Sequence, residues 1–229
     1  MKEKPILFSA PMVRAILDGR KTMTRRVVKL TDSGRVKAVG SPRNWHIDDP
    51  NAVLACPYGA PCDRLWVRER MRVIGRGPIT RRADMIRVRY EADGTESELL
   101  PYPERLQGDP IIGKCLTYGG YREASRIDLE VTGVRVERVQ DISDKDIIAE
   151  GVYIRINKDS IVDGKGHPLI RVTGDYPPIK YLPKHNGKGW SESELLRAEF
   201  AALWDSINAK RGYGWKVNPW VWVVEFRRI

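Results

Sequence analysis

The sequence predicts an α+β fold: a closed or nearly closed small β-barrel with a few short helices and two long loop insertions. Three observations predict it. Runs that alternate apolar and polar residues outnumber helical periodicities. The legible helices do not alternate with strands in βαβ order, so a flat parallel sheet is not expected. The longest strand signal, Ser125 to Val139, shifts the phase of its apolar residues at Gly133. A one-residue shift at glycine is what a β-bulge at the corner of a curved sheet produces, and a break between two strands is the other reading.

In chain order, Ile6-Leu7-Phe8 reads as a short buried strand. Ser9 stands at a helix N-cap, and Pro11 falls in the first turn, where a missing N–H costs little. Val13, Ile16 and Leu17 share one helical face, and Gly19 supplies the left-handed residue that ends the helix. The stretch Arg20 to Arg26 therefore leaves an anchored helix end. From Thr31 to Asp63, Gly, Pro, Asn and Asp predict loop. Asp63 to Glu69 is the next strand, with Leu65 and Val67 on one side and Trp66 and Arg68 on the other. Residues 71–85 are basic and irregular, and Ile86 to Glu91 alternates as a half-buried strand. Gly94 to Gly120, rich in Pro and Gly, predicts an excursion over the surface. Ser143 and Asp146 have capping-box spacing, Ile142 is placed to staple onto Ile147, and Gly151 closes a short helix with Glu150 in its last turn. Residues 152–190 read as a long insertion. Ser191 and Glu194 open a capped helix with Leu196, Phe200, Leu203 and Ile207 on its apolar face. Pro219 to Ile229 closes the chain as a strand with Trp220, Trp222, Val224 and Phe226 on one side. No repeat or linker divides the sequence, so one domain over 1–229, with insertions near 71–124 and 152–190, is expected.

A hydrophobic fraction of 41% and a charged fraction of 31% are those of a soluble globular chain. No apolar run reaches membrane-spanning length, and the N-terminus lacks the apolar core of a signal peptide. Three spaced cysteines suggest no disulfide framework, so a reducing cytoplasm and no membrane partner are expected. Lys and Arg number 40 against 30 Asp and Glu, a formal charge of +10 that favours polyanionic partners. From Arg14 to Arg43 nine cations stand against Asp18 and Asp32 alone. Motifs of nucleotide hydrolases, serine hydrolases and zincins are absent. Cys56, Cys62 and His46 are poorly spaced for a metal site, and no metal or cofactor is expected. His46, His167 and His185 all fall in predicted loops.

Gly19-Arg-Lys-Thr-Met-Thr-Arg-Arg26 resembles the Gly-x-Lys-x-x-Thr-x-Arg signature of ASCH-domain proteins, whose barrel is related to the PUA domain of RNA-modifying proteins. Asp63 to Glu69, Ser125 to Val134, Ile142 to Gly151, Leu203-Trp-Asp-Ser-Ile-Asn208, Gly212-Tyr-Gly-Trp215 and the Trp-rich end resemble the longer, phage- and prophage-type branch of that family. The likeness covers most of the chain outside the two insertions. It implies a PUA-like barrel with a basic cleft that takes RNA or a modified nucleoside, in a bacterial or phage-infected host cytoplasm. In the small family members that remove acetyl from N4-acetylcytidine, a Lys and a Thr of the signature work with a Glu of the short helix. Carried over by motif, the catalytic residues are Lys21, Thr24 and Glu150. Where the family usually has Gly-Asp before the Trp-Val-Arg-Glu strand, this chain has Cys62-Asp63.

Those residue types suit amide hydrolysis. Thr24 attacks an acetyl carbonyl if Lys21 is neutral, which requires a lysine pKa of roughly 10.4 to fall by several units. Glu150, near a helix C-terminus, suits a proton donor, and Arg26 can hold the base carbonyl or an oxyanion. Arg20 and Arg25 are further ligand contacts, and the resemblance puts Trp66, Arg68 and Glu69 on a strand lining the same cleft. Structural roles stand beside each of these. Lys21 and Arg20 can complement a helix end, Thr24 can be an ordinary strand residue, and Glu150 can pair with an arginine. Trp66, Trp215, Trp220 and Trp222 can fill the core rather than stack bases. Two readings follow: a non-catalytic RNA- or nucleotide-binding protein, and an amidohydrolase of acylated cytidine-like nucleosides. Ribonuclease activity is a weaker third.

Overall fold

The computed structural model describes residues 1–37, 44–77, 84–102, 112–116, 120–153, 155–162, 168–173 and 191–229. Its elements are β1 (Glu3–Leu7), α1 (Ala10–Leu17), β2 (Met23–Val27), β3 (Arg35–Lys37), β4 (Asn44–His46), β5 (Arg64–Arg68), β6 (Met71–Arg76), β7 (Asp84–Tyr90), β8 (Leu100–Tyr102), β9 (Cys115–Leu116), β10 (Asp128–Arg138), α2 (Asp144–Ala149), β11 (Arg155–Val162), β12 (Pro168–Thr173), α3 (Glu192–Asn208) and β13 (Trp220–Arg228). The chain is mixed α+β, mostly strands with few helices. Two compact units are present. Met1–Gly19, Tyr58–Thr132 and Phe226–Ile229 form the first, and Arg20–Pro57 and Gly133–Glu225 form the second. No helix among the described residues is long and apolar enough to cross a membrane.

In the first unit, β1 runs parallel to β5, with Glu3 opposite Arg64 and Leu7 opposite Arg68. The opening residues of β10 pair antiparallel with β5. Alternation decides the faces: Ile6, Phe8, Leu65 and Val67 are buried while Leu7 is exposed. Trp66 and Arg68 are half-buried on the other side of β5. Helix α1 buries Val13, Ala15 and Ile16 and turns out through Gly19 at φ +72°, a left-handed conformation that glycine adopts without strain. Ser9 occupies the N-cap position, but its side chain makes no capping hydrogen bond, and Pro11 sits in the first turn.

A second sheet of this unit, ordered β8-β7-β6-β9, is antiparallel throughout. Met71, Val73, Ile86, Val88 and Tyr90 cover one side of it together with Tyr121 and Ala124. Residues 71–76 are thus a strand, where an irregular segment was expected. Met71 and Val73 alternate with Arg72, but the register against β7 shifts between Val73 and Gly75, which hides the period in the sequence. The Gly94–Gly120 segment likewise contributes β8 and β9, strands too short to show any alternation. Residues 103–111 and 117–119 of it lie outside the described residues.

In the second unit, β13 lies between β10 and β2. Arg25 stands opposite Val223, and Thr24 opposite Val224. A strand flanked on both edges and covered on both faces carries a continuous apolar run. Val221, Trp222, Val223 and Val224 are accordingly all buried, rather than one face only as the alternation suggested. The segment Thr31–Asp63, expected as loop, contains the β3–β4 hairpin and a 3-10 turn over Pro50–Ala55 capped by Asp49. His46 is therefore a strand residue, exposed and 3.1 Å from Asp48.

Ser143 caps α2 by accepting from the Asp146 N–H, and Ile142 and Ile147 are fully buried, as a hydrophobic staple requires. Ser191 and Glu194 complete a capping box on α3. That helix buries Leu196, Phe200 and Leu203 as expected, together with Leu195 and Trp204, whereas Ile207 is exposed. The indole of Trp204 donates to Tyr213 O at 2.7 Å, so its polar end is satisfied. Trp215 packs edge-on against Phe200, and Trp220 lies half-buried beneath the Arg138 guanidinium. Within residues 152–190, β11 and β12 form an antiparallel hairpin. Arg43, His167 and His185 fall outside the described residues.

Candidate functional site

Past Gly19 the chain enters an isolated antiparallel bridge between Lys21 and Glu150. The Thr22 N–H donates to Ala149 O at 2.9 Å. These backbone bonds set the basic stretch against the C-terminal end of α2. The Lys21 side chain is 0% exposed. Its Nζ donates to Glu150 Oε2 at 2.7 Å, to Glu150 O at 2.8 Å and to Met23 O at 2.8 Å. An ammonium has three protons, and each here has an acceptor. Burial holds the Lys21 pKa below its ordinary value. The Glu150 carboxylate offsets part of that, and Arg26 and Arg25 add to it.

Arg25 closes the other side of the same carboxylate, its Nη1 lying 3.4 Å from Glu150 Oε1. Its Nε and Nη2 donate to Glu137 Oε1 at 2.9 and 2.5 Å, and Nη2 also reaches Asp146 Oδ2 at 2.7 Å. Burial works against the charge of Arg25, but Glu150, Glu137 and Asp146 outweigh it and hold its pKa above the ordinary value. Arg135 continues the chain of charges to Glu137, Asp146 and Glu225. Lys21, Arg25 and Arg135 thus meet Glu137, Asp146, Glu150 and Glu225, drawn from β2 and its approach, β10, α2 and β13.

This network explains the apolar phase shift at Gly133. Strand β10 runs unbroken from Asp128 to Arg138. Past Gly133, Arg135 and Glu137 take up ion-pairing positions, so the apolar residues move to Val134 and Val136. A Cβ on Gly133 would stand 3.0 Å from Glu225 Oε2, so glycine leaves room for that carboxylate.

Thr24 and Arg26 alternate with Arg25 along β2, which directs them to the opposite face of the strand. Thr24 is 2% exposed, and Arg26 is half-buried opposite Trp222. Arg20 is half-buried, donates to Gly151 O at 3.3 Å and lies 4.9 Å over the Tyr153 ring. Lys21, Arg25 and Glu150 therefore meet directly, and the pleat turns Thr24 away from Arg25.

Trp66, Arg68 and Glu69 belong to the first unit. Glu69 is 2% exposed, and Arg126 grips both its oxygens, Nε to Oε1 at 2.8 Å and Nη2 to Oε2 at 3.0 Å. The same guanidinium bonds both oxygens of Asp93 and lies 4.0 Å over the Tyr90 ring. Hydrogen bonds from Arg126 hold the Asp93 carboxyl down to about 2. Burial opposes the charge of Arg126, but Glu69 and Asp93 raise its pKa above the ordinary value, and burial raises that of Tyr90.

Arg126, Asp93, Arg135, Glu137 and Glu225 were not singled out from the sequence, and Asp146 only as a helix-capping residue. The available signal was a charged pair, Arg135 and Glu137, on a strand that had just been apolar. Among the described residues no group of three or more His, Cys, Asp or Glu side chains is arranged to hold a metal ion. Cys56 is buried and Cys62 exposed, neither in a disulfide. Cys62 takes φ +71°, a left-handed conformation uncommon for a residue other than glycine. No protein-family model, curated protein or solved structure matches the chain.

Proposed function

We propose that this chain is an ASCH-type protein with a PUA-like barrel that binds RNA or a nucleotide in the cytoplasm without turning it over. The observation that carries the non-catalytic reading is the saturation of Lys21. A general base needs a lone pair to receive a proton, whereas all three N–H groups of this buried ammonium donate to Glu150 Oε2, Glu150 O and Met23 O. On this reading Lys21, Arg25 and Glu150 are the strut of the site, and the half-buried Arg20 and Arg26 are its ligand face. The net charge of +10 supports a polyanionic ligand.

The runner-up is deacylation of an N4-acetylcytidine-like nucleoside, and one observation favours it. Burial depresses the Lys21 pKa beside a carboxylate 2.7 Å away, which is the direction a lysine base requires.

One experiment separates them. Fluorescence anisotropy with a labelled single-stranded RNA, titrated with salt, is expected to show binding by the wild type. Each phosphate neutralised on a single strand contributes roughly 0.7 to the slope of log K against log salt. In Arg20→Gln/Arg26→Gln that slope is expected to become shallower by about 1. An unchanged slope overturns the assignment of this face. Wild-type protein incubated with N4-acetylcytidine is expected to release no cytidine, and release that scales with enzyme replaces the binding reading with the hydrolase.

A further inference from the structure

The outer side of the β6–β7 ribbon carries a row of exposed arginines. Between Arg70 and Arg89 the sequence has seven arginines, no lysine and a single acid, Asp84. The inner side of the ribbon is committed to the core through Met71, Val73, Ile86, Val88 and Tyr90. By alternation, Arg72, Arg87 and Arg89 are left on the outer side, and all three are exposed. Arg72 and Arg89 stand directly opposite each other in register. Like charges so placed weaken a sheet, so this pairing detracts from stability.

We propose that this face binds the phosphodiester backbone of single-stranded RNA, as a second contact surface that rests on the RNA-binding reading above. Three features favour that occupant. The cations are all arginines, whose planar forks match phosphate oxygens two at a time, where a lysine offers a point charge. Arg87 and Arg89, two residues apart on one strand, are about 6.6 Å apart along it, and Arg72 sits across from Arg89, which makes a regular row rather than a scattered patch. The other residues on that side of the ribbon, Ile74 and Met85, are half-buried, so the two strands themselves present no large exposed apolar side chain to a bilayer.

Among the described residues, the carboxylates that pair with these arginines are Glu91 and Glu96, and Glu98, exposed and two residues beyond Glu96, lies on the same side by alternation. Glu91 pairs with Arg70 and Arg72 at 3.0 and 3.2 Å, and Glu96 with Arg89 at 2.6 Å. Arg70, Arg72 and Arg89 in those pairs are about half exposed. Such surface pairs contribute little, so a phosphate can replace a carboxylate at small cost. Among the described residues Arg87 forms no ion pair.

The test uses the full chain and a labelled single-stranded RNA of about twenty nucleotides, comparing salt slopes of binding. Arg72→Gln/Arg87→Gln/Arg89→Gln is expected to make the slope shallower by about 2 and to weaken binding at least about tenfold near 0.1 M salt. Lys2→Gln/Lys210→Gln/Lys216→Gln removes the same charge from exposed positions elsewhere and is expected to change the slope by less than about half as much. Equal slopes for the two triple variants overturn the proposal. A slope reduced in Arg20→Gln/Arg26→Gln but not in the ribbon variant overturns this surface and leaves the first reading standing, and the opposite result does the reverse. Wild-type protein that binds phosphatidylserine vesicles or polyglutamate through these arginines, and no RNA, overturns both.

Discussion

Each unit contains an arginine gripped by more than one acid, and the two arrangements differ in what surrounds them. In the second unit Arg25 sits between Glu137 and Asp146 with its side chain 1% exposed, and Lys21 and Glu150 are packed against it. In the first unit Arg126 sits between Glu69 and Asp93 but is 19% exposed and rests on the Tyr90 ring. Solvent reaches one guanidinium and not the other. A buried charge that loses its partner has nothing to replace it, whereas a partly exposed arginine can turn to water, to its second carboxylate or to an aromatic face. The buried network is therefore an all-or-none structure, and the exposed fork is a set of separable contacts.

Mutating one acid in each tests that difference. Glu150→Ala strands Lys21 without a carboxylate in a dry interior, although Arg25 keeps Glu137 and Asp146, and its expected cost is about 3–5 kcal/mol in urea-unfolding free energy. Glu69→Ala leaves Arg126 with Asp93 and Tyr90, and the expected loss is smaller, about 1–3 kcal/mol. If the two substitutions cost the same, burial is not what separates the regions.

The smallest effect is expected at Asp93, whose side chain is 30% exposed. Asp93→Asn is expected to cost below about 1 kcal/mol at neutral pH. Its pKa is depressed from 3.8 to about 2 in the folded chain, so the unfolded chain binds its proton first as acid is added. The stabilisation from ionised Asp93 is thus present above pH 3.8 and lost as pH falls toward 2. Thermal melts of wild type and Asp93→Asn should converge over that window. A gap that stays constant assigns the stability to packing rather than charge.

The helices were the most legible part of the fold, because their signals are local. Ser191 with Glu194, Ser143 before α2 and Gly19 after α1 each act within one helical turn. The strands were legible where alternation ran for several residues, as in β5 and β7. They were not legible at β3, β4, β8 and β9, which have two or three residues each and take their conformation from a partner. Strand β6 was hidden by its register shift. At the candidate site the sequence singled out Lys21 and Glu150, residues 129 apart that meet at 2.7 Å. It did not disclose the pairing of Glu137, Asp146 or Glu225, since an acid that meets an arginine from a distant part of the chain looks the same in a sequence as one in solvent.

By itself the sequence determined the mixed α+β character, the caps, the cationic balance and the positions of the basic runs. These follow from composition and from spacings shorter than two helical turns. Only the tertiary structure decided which cations are taken up by internal acids and which face outward. Lys21 and Arg25 are held by Glu150, Glu137 and Asp146, while Arg72, Arg87 and Arg89 remain on a solvent-facing sheet. The physical reason is desolvation. Whether a charge must find a partner depends on how much water it loses, and that is set by neighbours brought from distant parts of the chain.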